Sequence, residues 1–242
     1  MVAACAFILI PIIASLSMRQ VTELSLTLSL SLISFILLLL AVFLGGTTLW
    51  KDMERRYTIS ILGLPVSRHI YILGRFAGMA VFILLTACIL GVVAFAVVVH
   101  SSTIYPSDRP IAWDTMALCI FFDALKYIML VAIAFLFSTV STSFFLPVFG
   151  TIATFLTGGV TQQVYEYINS PASKTLSSFL RLTARGLYYI LPNFSAFDLK
   201  VNAIYGLPVS VSGLILILAY FIVYSGIVLS LATIIFLRRE MR

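Results

Sequence analysis

The sequence predicts an all-α, polytopic membrane protein. Six transmembrane helices are expected, with a charged helix at one membrane surface and an interfacial helical segment at the other. Three observations carry this expectation. Hydrophobic residues make up 62% of the chain, charged residues 10%, and mean hydropathy is +1.14, well outside the usual range of a soluble domain. The runs 24–46 and 214–237 contain no charged residue, and each is long enough for the about 20 apolar residues that cross a bilayer core as a helix. These runs are also unbroken, whereas a β-barrel strand would alternate apolar and polar positions over a shorter segment. The whole chain, 1–242, reads as one transmembrane domain.

The first span covers about residues 2–18 and contains Pro11, which bends a helix or releases one early backbone bond. With no basic residue before the apolar run, this stretch reads as a membrane anchor rather than a cleaved signal. Arg19, Gln20 and Glu23 mark a polar turn, and a second span follows over 24–44, rich in Leu and in Ser whose hydroxyls can bond within the helix or across it. The third span covers 70–99, with Gly74 and Gly78 in a GxxxG pattern and Gly91 on a later turn, a spacing that permits close helix approach. Residues 100–114, with two prolines, read as an irregular external connection carrying Tyr105 and Trp113 at interfacial depth.

The fourth span, 115–137, contains Asp123 and Lys126. At i,i+3 they share a helix face and can pair. Two readings stay open: an intramembrane functional site, or a structural pair near one helix end with Lys126 snorkelling toward the surface. After the polar turn 138–143, a fifth span covers 144–160. The stretch 171–200 repeats apolar residues at helical spacing until Pro192, which predicts an amphipathic helix on the membrane surface. The last span, 209–237, is closed by Arg238, Arg239 and Arg242.

The excess of 15 Lys plus Arg over 9 Asp plus Glu, a net charge of +6, is distributed between spans. That pattern fits the positive-inside rule and contact with anionic lipid rather than nucleic acid. Cys5, Cys88 and Cys119 lie in apolar runs without metal-ligand spacing and read as small buried hydrophobes. His69 and His100 fall at opposite membrane faces, and Asp123 has no acidic partner, which argues against an intramembrane enzyme. With residues 45–75 inside, both termini are cytoplasmic. The turn 138–143 is then also inside, while Arg19, Arg109, Lys174, Arg181, Arg185 and Lys200 lie outside.

The longest charged interruption is 45–75, with Lys51, Asp52, Glu54, Arg55, Arg56 and Arg68 around the run TISILGLPVSR. A short surface helix between two spans suits the transfer of force from a soluble partner into the membrane domain. It needs apolar residues that dock and charges that set the register of docking. Tyr57, Ile59, Ile61 and Leu64 would dock, and Glu54, Arg55 and Arg56 would set the register. Gly63 and Pro65 would end the helix and turn the chain back. An ordinary inner loop obeying the positive-inside rule is the simpler alternative.

The pattern KDMERRYTISILGLPVSRHIYILGRFAG resembles the permease subunits of ABC-2 type transporters, closest to the subgroup that includes copper-enzyme maturation permeases. Glu54, Thr58, Leu62, Leu64, Pro65, Ser67, Arg68, Gly74 and Arg75 fall on that motif. YYILPNFSAFDLK at 188–200 is similar to the family's external segment before the last span, and FLRRE to its end. The resemblance implies a permease subunit of an ATP-driven exporter. Its ATPase-coupling segment, 47–68, would comprise Asp52, Glu54, Arg55, Arg56, Tyr57, Ile61, Leu64, Pro65 and Arg68. It implies a cytoplasmic ABC ATPase as partner, a homo- or heterodimer with a second permease, an accessory periplasmic or lipoprotein partner, and a bacterial or archaeal cytoplasmic membrane. The chain departs from the family where it begins, in apolar residues instead of a basic amphipathic helix. No Walker A pattern GxxxxGK[ST] occurs. The chain is therefore expected not to be an enzyme and to hold no cofactor, with ATP and Mg on the partner ATPase. The alternative is a membrane scaffold that anchors an ATPase or assembly complex without moving a substrate.

Overall fold

The computed structural model describes residues 2–17, 20–54, 67–105, 111–170 and 177–238, and these are helical with no strand. In order the elements are α1 (Val2–Ser15), α2 (Val21–Leu40), a π-helical segment (Ala41–Gly45), α3 (Gly46–Glu54), α4 (Arg68–Ile104), α5 (Trp113–Val140), α6 (Phe145–Asn169), α7 (Ser178–Ile190), a 3-10 turn (Phe194–Phe197), α8 (Lys200–Tyr205) and α9 (Val211–Arg238). Among the described residues, five helices are long and apolar enough to cross a membrane: Val21–Asp52, His69–Ile104, Trp113–Val140, Phe145–Asn169 and Val211–Arg238. Cys5–Ser15 is a shorter apolar helix. The chain is therefore a multi-pass helical protein.

The bundle is built around α5. Of its most apolar window 83% is buried inside the protein, against 17–44% for the other four candidate spans. It packs against α2, the π segment, α3, α4, α6, α8 and α9. The other long helices carry one inward stripe and turn the rest outward, as helices with lipid on the far side do. On α1 the stripe is Phe7, Ile10 and Ala14, one helical face set against α2 and α4.

The second span runs longer than its apolar stretch. The Gly45–Gly46 pair does not end it: the helix passes through the π segment and continues as α3 to Glu54. Both glycines lie in a tight crossing, where a Cβ on Gly45 would come within 3.2 Å of Ala134 Cβ and one on Gly46 within 3.4 Å of the Pro147 and Val148 backbone. Glycine serves close approach here rather than termination. A π segment disturbs the regular backbone ladder, and Ser138 Oγ on α5 lies 3.1 Å from Gly46 O and 2.8 Å from Ala134 O, so its single proton is shared between the two carbonyls.

The third, fourth and fifth spans are also longer than predicted. α4 continues through His100 to Ile104, and α6 extends to Asn169. A Cβ added to Gly91 would lie 3.4 Å from Ile120 Cδ1, whereas one added to Gly74 or Gly78 would meet nothing within 4 Å. Among the described residues the GxxxG pair therefore makes no close helix contact. Cys119 is buried as expected, whereas Cys5 and Cys88 are exposed, because the outward faces of a membrane helix are as apolar as its core.

Contacts between the described helix ends mark two ends of the bundle. At one, Asp52 meets Tyr71, and Tyr71 stacks on Phe236 at 6.2 Å. At the other, Thr22 Oγ1 donates to Tyr105 O at 2.6 Å, and Trp113 stacks on Phe95 at 5.4 Å. Lys51, Arg75 and Arg238 share the Asp52 end, while α7 with Arg181 and Arg185 packs on the far end of α6. The amphipathic stretch forms α7, capped by Ser177 Oγ, which accepts from Leu180 N at 3.3 Å, and it stops before Pro192.

Candidate functional site

Among the described residues, the buried charged side chains fall in two clusters. The first lies deep in the bundle. Asp123 sits ten residues into α5, about 15 Å from its start at 1.5 Å per residue, and Lys126 lies one turn further. Lys126 Nζ donates to Asp123 Oδ1, and Ser34 Oγ on α2 donates to Asp123 Oδ2. Lys126 Nζ also stands 4.7 Å from the centre of the Tyr127 ring, within cation–π range. Asp123 and Lys126 are 4% and 5% exposed.

This placement overturns the expectation of a pair near one helix end. Lys126 is enclosed by the helices around α5 and does not snorkel. The pair is closed on itself, each carboxylate oxygen already accepting a bond. Among the described residues no group of three or more His, Cys, Asp or Glu could hold a metal ion, and His69 and His100 stand near opposite ends of α4. The arrangement fastens α2 to α5.

From the Tyr105 end toward this pair, α2 buries a seam of hydroxyls. Thr22 bonds to Tyr105 O, Ser25 Oγ donates to Ser101 Oγ at 3.0 Å, and Ser34 reaches Asp123. Serine enrichment in the second span was visible in sequence. Which serines face inward, and that Asp123 is the target of one, was not.

The second cluster lies at the Asp52 end. Asp52, in the last turn of α3, is 8% exposed. Tyr71 OH donates to Asp52 Oδ2 at 2.7 Å, and Arg75 Nη2 donates to the same oxygen. The Arg75 guanidinium lies 6.0 Å from the Tyr71 ring centre. Trp50 meets Phe144 edge-on at 5.7 Å, which ties α3 to the start of α6. Asp52 therefore faces Tyr71 and Arg75 of α4. Its partners were legible only as an i,i+4 pair, Tyr71 and Arg75, on one face of the third span.

Of the remaining residues expected to couple to an ATPase, Glu54 closes α3 and Arg68 opens α4. Arg55, Arg56, Tyr57, Ile61, Leu64 and Pro65 lie outside the described residues. The clamp joins the two ends between which they are strung. A scan against protein-family models finds none that matches the chain, and a search of curated proteins returns no match.

Proposed function

We propose that this chain is the transmembrane permease subunit of an ATP-driven ABC exporter, coupled to a separate ATPase through residues 47–68. The observation that supports the reading best is the clamp of Asp52 on Tyr71 and Arg75. α3 continues α2 through the π segment, and the clamp binds its last turn to the first turns of α4. A displacement of residues 55–66 is then delivered to two spans together. A loop with loose ends would absorb it.

In this reading Asp52 anchors the segment, while Glu54, Arg55, Arg56, Tyr57, Ile61 and Leu64 meet the ATPase, and Pro65 and Arg68 form the bend that re-enters the membrane. α1 supplies a sixth crossing, both termini are cytoplasmic, and α7 lies along the external surface. A second permease completes a dimer in a bacterial or archaeal cytoplasmic membrane. ATP and Mg belong to the partner.

The test is the double variant Glu54→Ala/Arg55→Ala, read by co-purification of the ATPase and by transport in liposomes. Both are expected to fall while membrane insertion stays normal. Unchanged association together with unchanged transport overturns the assignment. An ATPase that assembles normally and whose rate ignores any cargo would instead favour a membrane scaffold.

A further inference from the structure

α7 runs back along the last turns of α6. Arg185 Nη2 donates to Asn169 Oδ1 at 3.2 Å, and the Tyr188 ring stacks on Tyr165 at 4.1 Å. Past the end of α7, the Phe194 ring lies 5.8 Å from that of Phe155, and Ser195 Oγ donates to Gly159 O at 2.8 Å. Residue numbers rise on one side of these contacts as they fall on the other, so the two segments are antiparallel. Pro192 O comes so near to α6 that a Cβ added to Gly158 would lie 2.5 Å from it.

Two spans gauge how far this return goes. Gly159 lies ten residues before Asn169, the last residue of α6, or about 15 Å from that end at 1.5 Å per residue. On α9, Ile190 O accepts from Tyr224 OH at 3.2 Å, and Asn193 N donates to Tyr220 OH at 2.9 Å. The uncharged run of α9 begins at Leu214, which puts Tyr220 and Tyr224 about 9 and 15 Å inside it. Half of a bilayer core is about 15 Å thick. The end of α7 and the 3-10 turn therefore stand at acyl-chain depth, on the Tyr105 side of the bundle.

Charge and exposure follow the same gradient. The charged residues of α7, Arg181 and Arg185, lie toward its outer end, and no charged residue occurs between Gly186 and Phe197. Leu187, Tyr189 and Ile190 are 48%, 75% and 72% exposed, a cluster of apolar surface that water would not favour. Past Phe197 the chain turns into the bundle, where α8 packs on α5 and α2.

We propose that α7 and the 3-10 turn form a re-entrant hairpin, with Leu187, Tyr189 and Ile190 packed against lipid acyl chains and with Arg181 and Arg185 at the level of the lipid phosphates. This goes beyond a helix resting along the external surface, since only the outer end of α7 does so. The inference is independent of the proposed transport function, because it uses no residue of the coupling segment or of the two clusters.

The test places one tryptophan on α7 of the full chain, in a Trp50→Phe/Trp113→Phe background. The protein is reconstituted into phosphatidylcholine vesicles brominated on the acyl chains, and iodide serves as the aqueous quencher. Leu182 and Ile190 are 73% and 72% exposed, so Leu182→Trp and Ile190→Trp meet little protein, and the two positions are about 12 Å apart along the helix. Ile190→Trp is expected to lose more fluorescence to the brominated lipid than Leu182→Trp, to resist iodide, and to emit at shorter wavelength. Tyr189→Trp, at a position 75% exposed, reads nearly the same depth where Ile190→Trp does not insert. Equal quenching by the lipid at both positions overturns the hairpin and leaves a helix flat on the surface. Iodide access at Ile190→Trp places this end in water. Protection from both quenchers means that protein, such as a second copy of the chain, covers it, and either of these results also overturns the inference.

Discussion

Removing one member of the Asp123–Lys126 pair should damage the protein more than removing both. Lys126→Met leaves the Asp123 carboxylate in the centre of the bundle with Ser34 as its remaining donor, at 4% exposure. Breaking a buried pair in this way costs about 3–5 kcal/mol, because an uncompensated charge stays behind. Asp123→Leu strands Lys126 in the same manner, with the Tyr127 ring as its remaining support, worth about 2 kcal/mol when desolvated. In Asp123→Leu/Lys126→Met no charge is left. Ser34 Oγ can turn to a carbonyl of its own helix, so no buried charge is left without a partner. The double variant should lie within about 1 kcal/mol of the parent or above it. The assay is equilibrium unfolding of detergent-solubilised protein in a sodium dodecyl sulfate titration, followed by circular dichroism. The reasoning is refuted if Lys126→Met alone stays within about 0.5 kcal/mol of the parent, or if the double variant loses the sum of the two single effects. The same variant separates the two roles that an intramembrane pair can have. If it is stable and still active, the pair is a fastening between α2 and α5; if it is stable and inactive, the pair also serves transport.

Two further outcomes follow from particular contacts. At the Asp52 clamp, Tyr71→Phe should destabilise more than Arg75→Met in the same unfolding assay. The Tyr71 bond to a buried carboxylate is worth about 1.5–3 kcal/mol, whereas the Arg75 side chain is 40% exposed and solvent screening leaves its ion pair about 0–1 kcal/mol; the reverse order would show that Arg75 carries the clamp. Gly158→Ala should lower stability by about 1–3 kcal/mol, because its Cβ would lie 2.5 Å from Pro192 O and 2.6 Å from the Phe194 ring. Gly159→Ala, where a Cβ meets nothing within 4 Å, is the matched control and should cost far less.

The helical architecture was legible because it needs only local information. A run of apolar residues in lipid must satisfy its own backbone bonds, and the α-helix is how one chain segment does so. The ends of the spans were read less well. Gly45 and Gly46 look like a helix stop in sequence, and only the proximity of Ala134 and Pro147 shows them to be a crossing. The polar turn expected from His100 onward is helical to Ile104 because Ser101 and Tyr105 find partners on α2. The charged stretch 45–75 drew attention as the main interruption of an apolar chain, yet one of its carboxylates, Asp52, faces inward. That orientation depends on Tyr71 and Arg75, which lie beyond the stretch's docking residues.

By itself, the sequence determined that this is a multi-pass helical membrane protein, because hydropathy acts residue by residue against a bilayer. It also exposed the Asp123–Lys126 pair, since an i,i+3 spacing on a helix is enough to bring two side chains together. Only the tertiary structure decided that α5 is the axis of the bundle and that the pair lies deep inside it. Those facts are set by packing between helices distant in sequence. Every face of a membrane helix is apolar whether it meets lipid or protein, so composition carries no mark of which face turns inward.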